Sequence, residues 1–196
     1  MNVCVYCSSS DSVDPVYFET ARRLGELIGE RKYTLIYGGA NVGPMSALAE
    51  AARKSGGRIV SVIPKAIEER GLVDRRADET VVTETLQERR HTMLKGSDVF
   101  VALPGGFGTL EEVTENITMR QLGLHRKPLA LVNTRGFWNG FAGFVRQLRL
   151  EHFIIPEHEG LLHLASTPEE ALSFLDRYVP QALPDKWGRD PQKSRS

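Results

Sequence analysis

The residues best suited to chemistry lie in one short stretch, PGGFGTLEE at residues 104–112. Its glycines let the backbone turn tightly and point several N–H groups at one anion. A helix that begins at Gly108-Thr109 would add the partial positive charge of its N-terminus. Thr109 could cap that helix or donate its hydroxyl to a phosphate oxygen. We therefore predict that this stretch binds the phosphate of a nucleotide.

The stretch differs from the two common glycine-rich phosphate motifs. No Lys-Ser/Thr pair follows its glycines, and they lack the G-x-G-x-x-G spacing of dinucleotide-binding proteins. A second glycine-rich stretch, at residues 38–43, misses that spacing as well, although Gly38 and Gly43 leave room for another part of a nucleotide. An enzyme that transfers hydride is therefore disfavoured.

Two carboxylates, Glu111 and Glu112, would lie in the first turn of the predicted helix. A carboxylate there can simply complement the helix dipole, which stabilises a helix by about 0.3–1 kcal/mol. Beside a phosphate, however, a carboxylate adds repulsion unless positive charge develops nearby. An oxocarbenium-like transition state at C1′ of a ribose provides such charge. We predict that at least one of the two glutamates is functional.

A basic pair, Arg89-Arg90, precedes His91 on the helix that leads into the strand before this loop. Consecutive helical residues point about 100° apart, so we expect only one of the two arginines to enter the site. Its planar fork suits a phosphate or a carboxylate. A solvated basic face is the alternative.

Strands and helices must bring these residues together at one end of a sheet. Compact apolar runs alternate with helical segments, which is typical of strands that are buried on both faces of a parallel sheet. The predicted strands are residues 3–6, 34–37, 58–63, 99–103 and 129–132. A first helix begins at Asp14-Pro15, and the others span residues 44–55, 84–95, 109–122, 137–151 and 168–178. This order predicts an α/β fold with a doubly wound parallel sheet.

Three loops follow strands of this sheet and have small, hydroxylic or glycine-rich sequences. They are Cys7-Ser8-Ser9-Ser10, residues 38–43 and residues 104–109. Ligands of such sheets bind beyond the carboxyl ends of the strands. We therefore expect the three loops to lie along one edge and to form one site.

Composition narrows the class of protein. The 196 residues suffice for one domain, which we predict over residues 1–182, with a loose polar tail at residues 183–196. Lys and Arg together number 25, as do Asp and Glu, so no net charge favours nucleic acid or an acidic membrane as a partner. Neither a secretory signal nor a membrane-spanning stretch is visible, which favours a cytoplasmic location.

The two cysteines, Cys4 and Cys7, have the C-x-x-C spacing of redox and metal sites. Cys4 lies inside the first predicted strand, where cysteine behaves as a small apolar residue. Zinc would need two more ligands, and none is close in sequence. We expect both cysteines to be structural, and we predict no metal site.

Taken together, these residues resemble the LOG family, the cytokinin riboside 5′-monophosphate phosphoribohydrolases. PGGFGTLEE matches the family signature PGGxGTxxE, and the resemblance covers about residues 2–180, including VYCSSS, YGGANVGPMSALAEAA, IPKAI, ERRHTML and ITMRQLGLHRKPLALVN. It implies a Rossmann-like three-layer α/β/α fold and a homodimer. It also implies hydrolysis of a nucleoside 5′-monophosphate to free base and ribose 5-phosphate, without a metal or an organic cofactor.

The resemblance also assigns roles to individual residues. Arg89 matches the substrate-binding arginine of the family and Arg90 the lysine that usually follows it, while Glu112 is the last glutamate of the signature. The predicted catalytic residues are Arg89, Glu111 and Glu112. The predicted substrate-binding residues are Ser8, Ser9, Gly39, Gly43, Met45, Arg90, Gly105, Gly106, Phe107, Gly108, Thr109, Leu110 and Thr118.

This sequence departs from the family at two places. Residues 39–46 replace the usual GGxxGLMG, and Gly71 stands where a glutamate is often found. Base recognition is therefore open among cytokinin-type, other purine and pyrimidine monophosphates. The alternative function is a binding protein, since a related branch of this fold carries molybdenum cofactor without turning it over.

Overall fold

Seven parallel strands form one sheet in the computed structural model, which describes residues 1–180 and Pro184. The strands are β1 (Asn2–Tyr6), β2 (Thr34–Tyr37), β3 (Arg58–Pro64), β4 (Glu79–Thr83), β5 (Val99–Ala102), β6 (Leu129–Val132) and β7 (His163–Ala165). The helices are α1 (Pro15–Glu30), α2 (Gly43–Lys54), α3 (Lys65–Glu68), α4 (Leu86–Gly96), α5 (Phe107–Gln121), α6 (Asn139–Leu150) and α7 (Pro168–Asp176). Two short 3-10 helices span Thr134–Gly136 and Pro156–Leu161.

The strand order is β4-β3-β2-β1-β5-β6-β7, and the chain changes direction across the sheet between β1 and β5. β1 pairs with both neighbours: Val3 lies opposite Leu35 on β2 and opposite Val99 on β5. The loops that follow β1 and β5 therefore open side by side at the switch point of the sheet. This is the position where doubly wound sheets bind ligands.

Helices cover both faces of the sheet, because successive residues of each strand face opposite sides. On one face, Val3 and Val5 pack in a core with residues of α1, α2 and α7. On the other face, Cys4 and Tyr6 pack with Phe100 and with residues of α4 and α5. The predicted three-layer doubly wound α/β fold is confirmed.

The predicted elements agree with the structure except at a few places. All five predicted strands are present, and α1 begins at Pro15 behind Asp14, whose carboxylate accepts a hydrogen bond from the Val16 N–H (3.0 Å). β4, β7 and the one-turn helix α3 were not predicted, since β4 is a mostly exposed edge strand and β7 has only three residues. The predicted domain end at residue 182 and the predicted tail, except Pro184, lie outside the described residues.

Cys4 and Cys7 are both buried and neither forms a disulfide. The structural interpretation of Cys4 is confirmed, because its side chain is fully enclosed in β1. Across residues 1–180, no helix has the length and apolar character needed to cross a membrane.

Helices α1 and α2 approach each other closely at Gly25, where a Cβ atom would lie 2.3 Å from the carbonyl oxygen of Leu48. We expect Gly25→Ala to lower the free energy of unfolding by roughly 1–3 kcal/mol, because the added methyl group overpacks this contact. Gly143→Ala on α6 is the matched control: a Cβ there has no neighbour within 4 Å among the described residues. The control should stabilise the protein by about 0.5–1 kcal/mol, the usual gain of Ala over Gly in a helix.

Denaturant unfolding of the two variants checks this prediction. Equal stabilisation by both substitutions would show that α1 and α2 can move apart at no cost.

Candidate active site

The loops after β1 and β2 meet at the carboxyl edge of the sheet. The Met45 N–H donates a hydrogen bond to the carbonyl of Ser8 (3.1 Å). Gly43 has φ +62°, and a Cβ atom there would lie 2.5 Å from the carbonyl carbon of Ser9. Only glycine fits such a conformation and such a close approach without strain. The expected convergence of these two loops is therefore confirmed.

A polar cluster around the buried Asp74 holds the loop after β2 in place. The backbone N–H of Asp74 donates to the carbonyl of Gly39 (2.8 Å), so the segment before β4 is held against this loop. The Asp74 carboxylate accepts hydrogen bonds from the Tyr37 hydroxyl (2.9 Å) and from Arg53 (2.6 Å). Burial raises the pKa of Tyr37, so its hydroxyl stays protonated and keeps donating.

The glycine-rich loop after β5 leads directly into α5. The helix begins at Phe107, two residues earlier than predicted, and its N-cap is Gly106, which has no side chain to cap the helix. The first N–H groups of α5 therefore have no capping side chain, as an anion site at a helix N-terminus requires. A Cβ atom at Gly105 would lie 2.1 Å from the Thr109 hydroxyl oxygen, so only glycine allows this packing.

Thr109 is the third residue of the helix and 3% exposed, so it does not cap the helix. Of the two roles expected for Thr109, capping is excluded, because Gly106 is the N-cap and the helix begins at Phe107. The same shift places Glu111 and Glu112 in the second turn rather than the first. A favourable interaction with the helix dipole, which acts in the first turn, therefore does not account for the presence of Glu111 and Glu112 at these positions.

Glu112 is the buried member of the pair of glutamates. Its side chain is 6% exposed, whereas that of Glu111 is 52% exposed. Glu112 forms an ion pair with Arg89, whose side chain is itself 15% exposed. A charge-assisted hydrogen bond of this kind offsets part of the free energy that burial of the carboxylate costs.

The Arg89 guanidinium joins α5 to the end of β2. A Cβ atom at Gly38 would lie 3.4 Å from Arg89 Nη1 and 3.2 Å from the methyl carbon of Met45, so both side chains pack over this glycine. The Arg89 Nε–H has no hydrogen-bond partner within residues 1–180. Arg89 thus holds Glu112 with one nitrogen and retains further donors for a ligand.

The second arginine also reaches α5, although the sequence leads us to expect that only one of the two enters the site. Arg90 contacts Glu111 through Nη1 (2.9 Å) and Glu115 through Nε (2.5 Å). Glu111 and Glu115 are one turn apart on the same face of α5, and Glu112 lies on the adjacent face. Two arginines that point 100° apart on α4 can therefore both form ion pairs with carboxylates on α5.

Burial raises the pKa of Glu112 to about 7, and the positive charges of Arg89 and Arg90 oppose this rise. A carboxyl group with this pKa exchanges its proton near neutral pH, as a general acid or base must. The folded protein binds that proton more tightly than the unfolded chain does. Ionisation of Glu112 therefore makes the fold less stable as pH rises from about 4.5 to about 7.

A cavity of about 450 Å³ opens between α4 and α5 beside Glu112. This volume lies within the range of small-molecule sites. The lining residues are Tyr6, Thr85, Gln87, Glu88, Arg90, His91, Leu94, Glu112, Glu115, Asn116 and Met119. Of these, Arg90 and Glu112 are predicted site residues, and Tyr6, Glu115 and Asn116 are among those that were not predicted. Their side chains reach the cavity only through the packing of α5 on β1 and α4, which no local motif indicates.

Four predicted binding residues have exposed side chains and lie outside this cavity: Ser9, Phe107, Leu110 and Thr118. Phe107 is 92% exposed and Leu110 is 37% exposed, so their side chains point away from the buried pair. Thr118 lies on the exposed face of α5, where its hydroxyl donates to the carbonyl of Thr114 (2.8 Å). The backbone N–H of Leu110 already donates to the carbonyl of Gly106 (3.0 Å), so it is not available to a ligand. Ser9 is likewise exposed at the rim.

The position of this site, at the switch point of a doubly wound parallel sheet, defines an α/β protein that binds its ligand beyond the strand ends. A family model described as possible lysine decarboxylase matches residues 45–175. A cytokinin riboside 5′-monophosphate phosphoribohydrolase from Arabidopsis thaliana is 37% identical over 91% of this chain and 82% of its own length. A probable one from Oryza sativa subsp. japonica is also 37% identical, over 91% and 73%. The chain belongs to this family, the LOG family.

Solved structures share the same architecture. The molybdenum cofactor carrier protein of Chlamydomonas reinhardtii matches with a TM-score of 0.70 at 23% identity, over 90% of this chain and 96% of that one. The molybdenum cofactor binding protein of Rippkaea orientalis matches with a TM-score of 0.68 at 24% identity, over 89% and 94%. At such identities the likeness shows the fold alone, and the Rossmann-like prediction is confirmed.

The raised pKa of Glu112 is directly measurable. We expect the side-chain carboxyl carbon of Glu112 to titrate near pH 7 in a ¹³C NMR experiment. Arg89→Met should raise that midpoint further, because Arg89 is the main group that favours the charged carboxylate. Arg90→Met, the matched control, should raise it less. A midpoint near 4.5 in the unsubstituted protein would contradict the burial argument.

Proposed function

We propose that this protein hydrolyses the N-glycosidic bond of nucleoside 5′-monophosphates and releases free base and ribose 5-phosphate. The observation that carries the proposal is the buried Arg89–Glu112 pair next to an uncapped helix N-terminus. Glu112 lies five residues beyond Phe107, about 7.5 Å along the helix axis. This offset separates an anion-binding end from a carboxylate. The names of the relatives, phosphoribohydrolases of cytokinin riboside 5′-monophosphate, support the same reaction.

The glycine-rich loop would anchor the 5′-phosphate, with the N–H groups of residues 105–109 as donors and the helix dipole as a further attraction. Phosphate binding contributes free energy that positions C1′ without taking part in the bond cleavage. Ser8 and Met45, from the two neighbouring loops, would border the ribose. These contacts involve no metal ion or organic cofactor.

Glu112 would act at C1′. As the bond from C1′ to the base nitrogen lengthens, its electron pair leaves with the base and positive charge develops on the ribose, which the carboxylate stabilises. Water adds to C1′ and gives up one proton to Glu112. The departing base takes one proton from the solvent, and Glu112 afterwards returns its proton to the solvent, so the products are neutral base and ribose 5-phosphate. Arg89 orients the Glu112 carboxylate and faces the ribose hydroxyls.

Glu111 has a smaller role in this proposal, since it is half-exposed and paired with Arg90. The base is a purine or a pyrimidine, and a cytokinin-type base is one candidate because of the relatives' names. A homodimer and a cytoplasmic location stay predictions. Sedimentation analysis of the molecular mass in solution tests the first and microscopy of the tagged protein the second.

The two glutamates provide a matched pair of variants. We expect Glu112→Gln to lower kcat/KM for AMP by roughly 10²- to 10⁴-fold, because it removes the base that accepts a proton from water. Glu111→Gln, the control, should change it by less than about tenfold, because an exposed charge acts weakly. The measurement is release of ribose 5-phosphate. If both variants keep full activity, Glu112 is not the reacting carboxylate.

The pH profile tests the same assignment independently. Glu112 must be ionised to accept a proton, so kcat/KM should fall about tenfold per unit below its pKa of about 7. Glu112→Gln should abolish this limb, whereas Glu111→Gln should keep it. A profile that is flat down to pH 5 in the unsubstituted enzyme would rule out Glu112 as the base.

A further inference from the structure

Asn116 is the most unusual polar residue of the cavity between α4 and α5. Its side chain is almost fully buried, with 2% of the residue exposed. Yet neither Nδ2 nor Oδ1 has a hydrogen-bond partner within the described part of the chain. A buried amide without partners is destabilising, because it loses its hydrogen bonds to water and gains none in the protein. Such a group in the wall of a ligand-sized cavity indicates that a ligand supplies the partners.

The position of Asn116 on α5 relates it to the proposed reaction site. Glu112 and Asn116 both line the cavity and are four residues apart, so they share one face of the helix at a spacing of about 6 Å. The helix thus presents, in order, the phosphate-binding N-terminus, the carboxylate for C1′ and the free amide. A nucleotide laid along α5 with its phosphate at the glycines therefore directs its base toward Asn116.

The surroundings of Asn116 suit a flat heterocycle. Leu94 and Met119 supply apolar wall, and the Tyr6 ring lies against Phe100 with the centroids 5.7 Å apart. Burial raises the pKa of Tyr6, which therefore keeps its hydroxyl proton. Arg90 and Glu115, two charged groups of the rim, are already paired with each other. The Tyr6 hydroxyl lies near the Asn116 amide. Among the described residues that line this cavity, Asn116 is the one whose buried side-chain atoms lack a hydrogen bond.

We propose that Asn116 binds the edge of the base and selects adenine-type nucleotides, an assignment that rests on the proposed function. Its Oδ1 accepts a hydrogen bond from the 6-amino group while its Nδ2 donates one to N7. Asparagine makes this bidentate contact with adenine in other proteins. The ring edge at N1 stays open, so a substituent on the 6-amino group that leaves one N–H is tolerated.

The test compares AMP with purine riboside 5′-monophosphate, which lacks the 6-amino group. Both kcat/KM and equilibrium binding are measured for the unsubstituted protein and for Asn116→Leu. We expect the preference for AMP over the second nucleotide to fall roughly 10- to 100-fold in this variant, the usual effect of a lost bidentate contact. Met119→Leu, a volume-conserving change in the same wall, should keep the preference.

Asn116→Asp tests the two hydrogen bonds to the base separately. It also provides a second variant in case Asn116→Leu does not fold. It has nearly the same shape and keeps an acceptor for the 6-amino group, but as a carboxylate it has no donor for N7. Discrimination against 7-deaza-AMP should therefore disappear, while discrimination against purine riboside 5′-monophosphate remains.

Equal losses for both nucleotides in Asn116→Leu would show a structural amide and overturn the inference, although hydrolysis itself would stand. If the unsubstituted protein releases no ribose 5-phosphate, the proposed function fails. The binding ratios then still decide the role of Asn116: a preference for AMP that vanishes in the variant supports it, and an unchanged ratio contradicts it.

Discussion

Burial of the Glu112 carboxylate is the constraint on which the rest of the site depends. A carboxylate that is 6% exposed is costly unless a cation meets it, and Arg89 is the cation. The arginine reaches Glu112 beside Gly38 at the end of β2, where a Cβ atom would lie 3.4 Å from its Nη1. The ion pair also requires α4 to lie against α5, a contact that Arg90 and Glu115 extend at the rim. One ion pair thus links β2, α4 and α5 at the carboxyl edge of the sheet.

In the proposed reaction, the same helix would meet two opposite charges of a nucleotide. At its N-terminus, backbone N–H groups and the dipole would attract the phosphate. One turn later, Glu112 would meet the ribose at the point where positive charge develops during bond cleavage. If this carboxylate lay in the first turn, it would repel the phosphate directly. The start of α5 at Phe107 therefore matters, because it moves Glu112 away from the anion and into the protein.

Much of this arrangement follows from local sequence. Continuous apolar runs predict the buried strands, and the loops after them predict the edge where the ligand binds, because parallel strands end together. Glycines and a following helix predict an anion site. The predicted start of α5 lies two residues later than the observed one, because Gly105 and Gly106 permit several backbone conformations. Which conformation forms depends on packing against the Thr109 side chain. The environment of Asn116 is set by α4 and β1, far away in sequence, so no periodicity or motif could indicate it.

Membership of the LOG family agrees with a site built for the phosphate and ribose of a nucleotide. The central claim is that Glu112 lies at C1′ while the loop at residues 105–109 holds the phosphate. The most direct measurement is a crystal structure of the Glu112→Gln variant with AMP bound. We predict the phosphate on the N–H groups at the start of α5 and C1′ against the carboxamide at position 112, with Arg89 beside the ribose. An AMP molecule with its phosphate elsewhere, or with C1′ out of reach of position 112, would contradict the account.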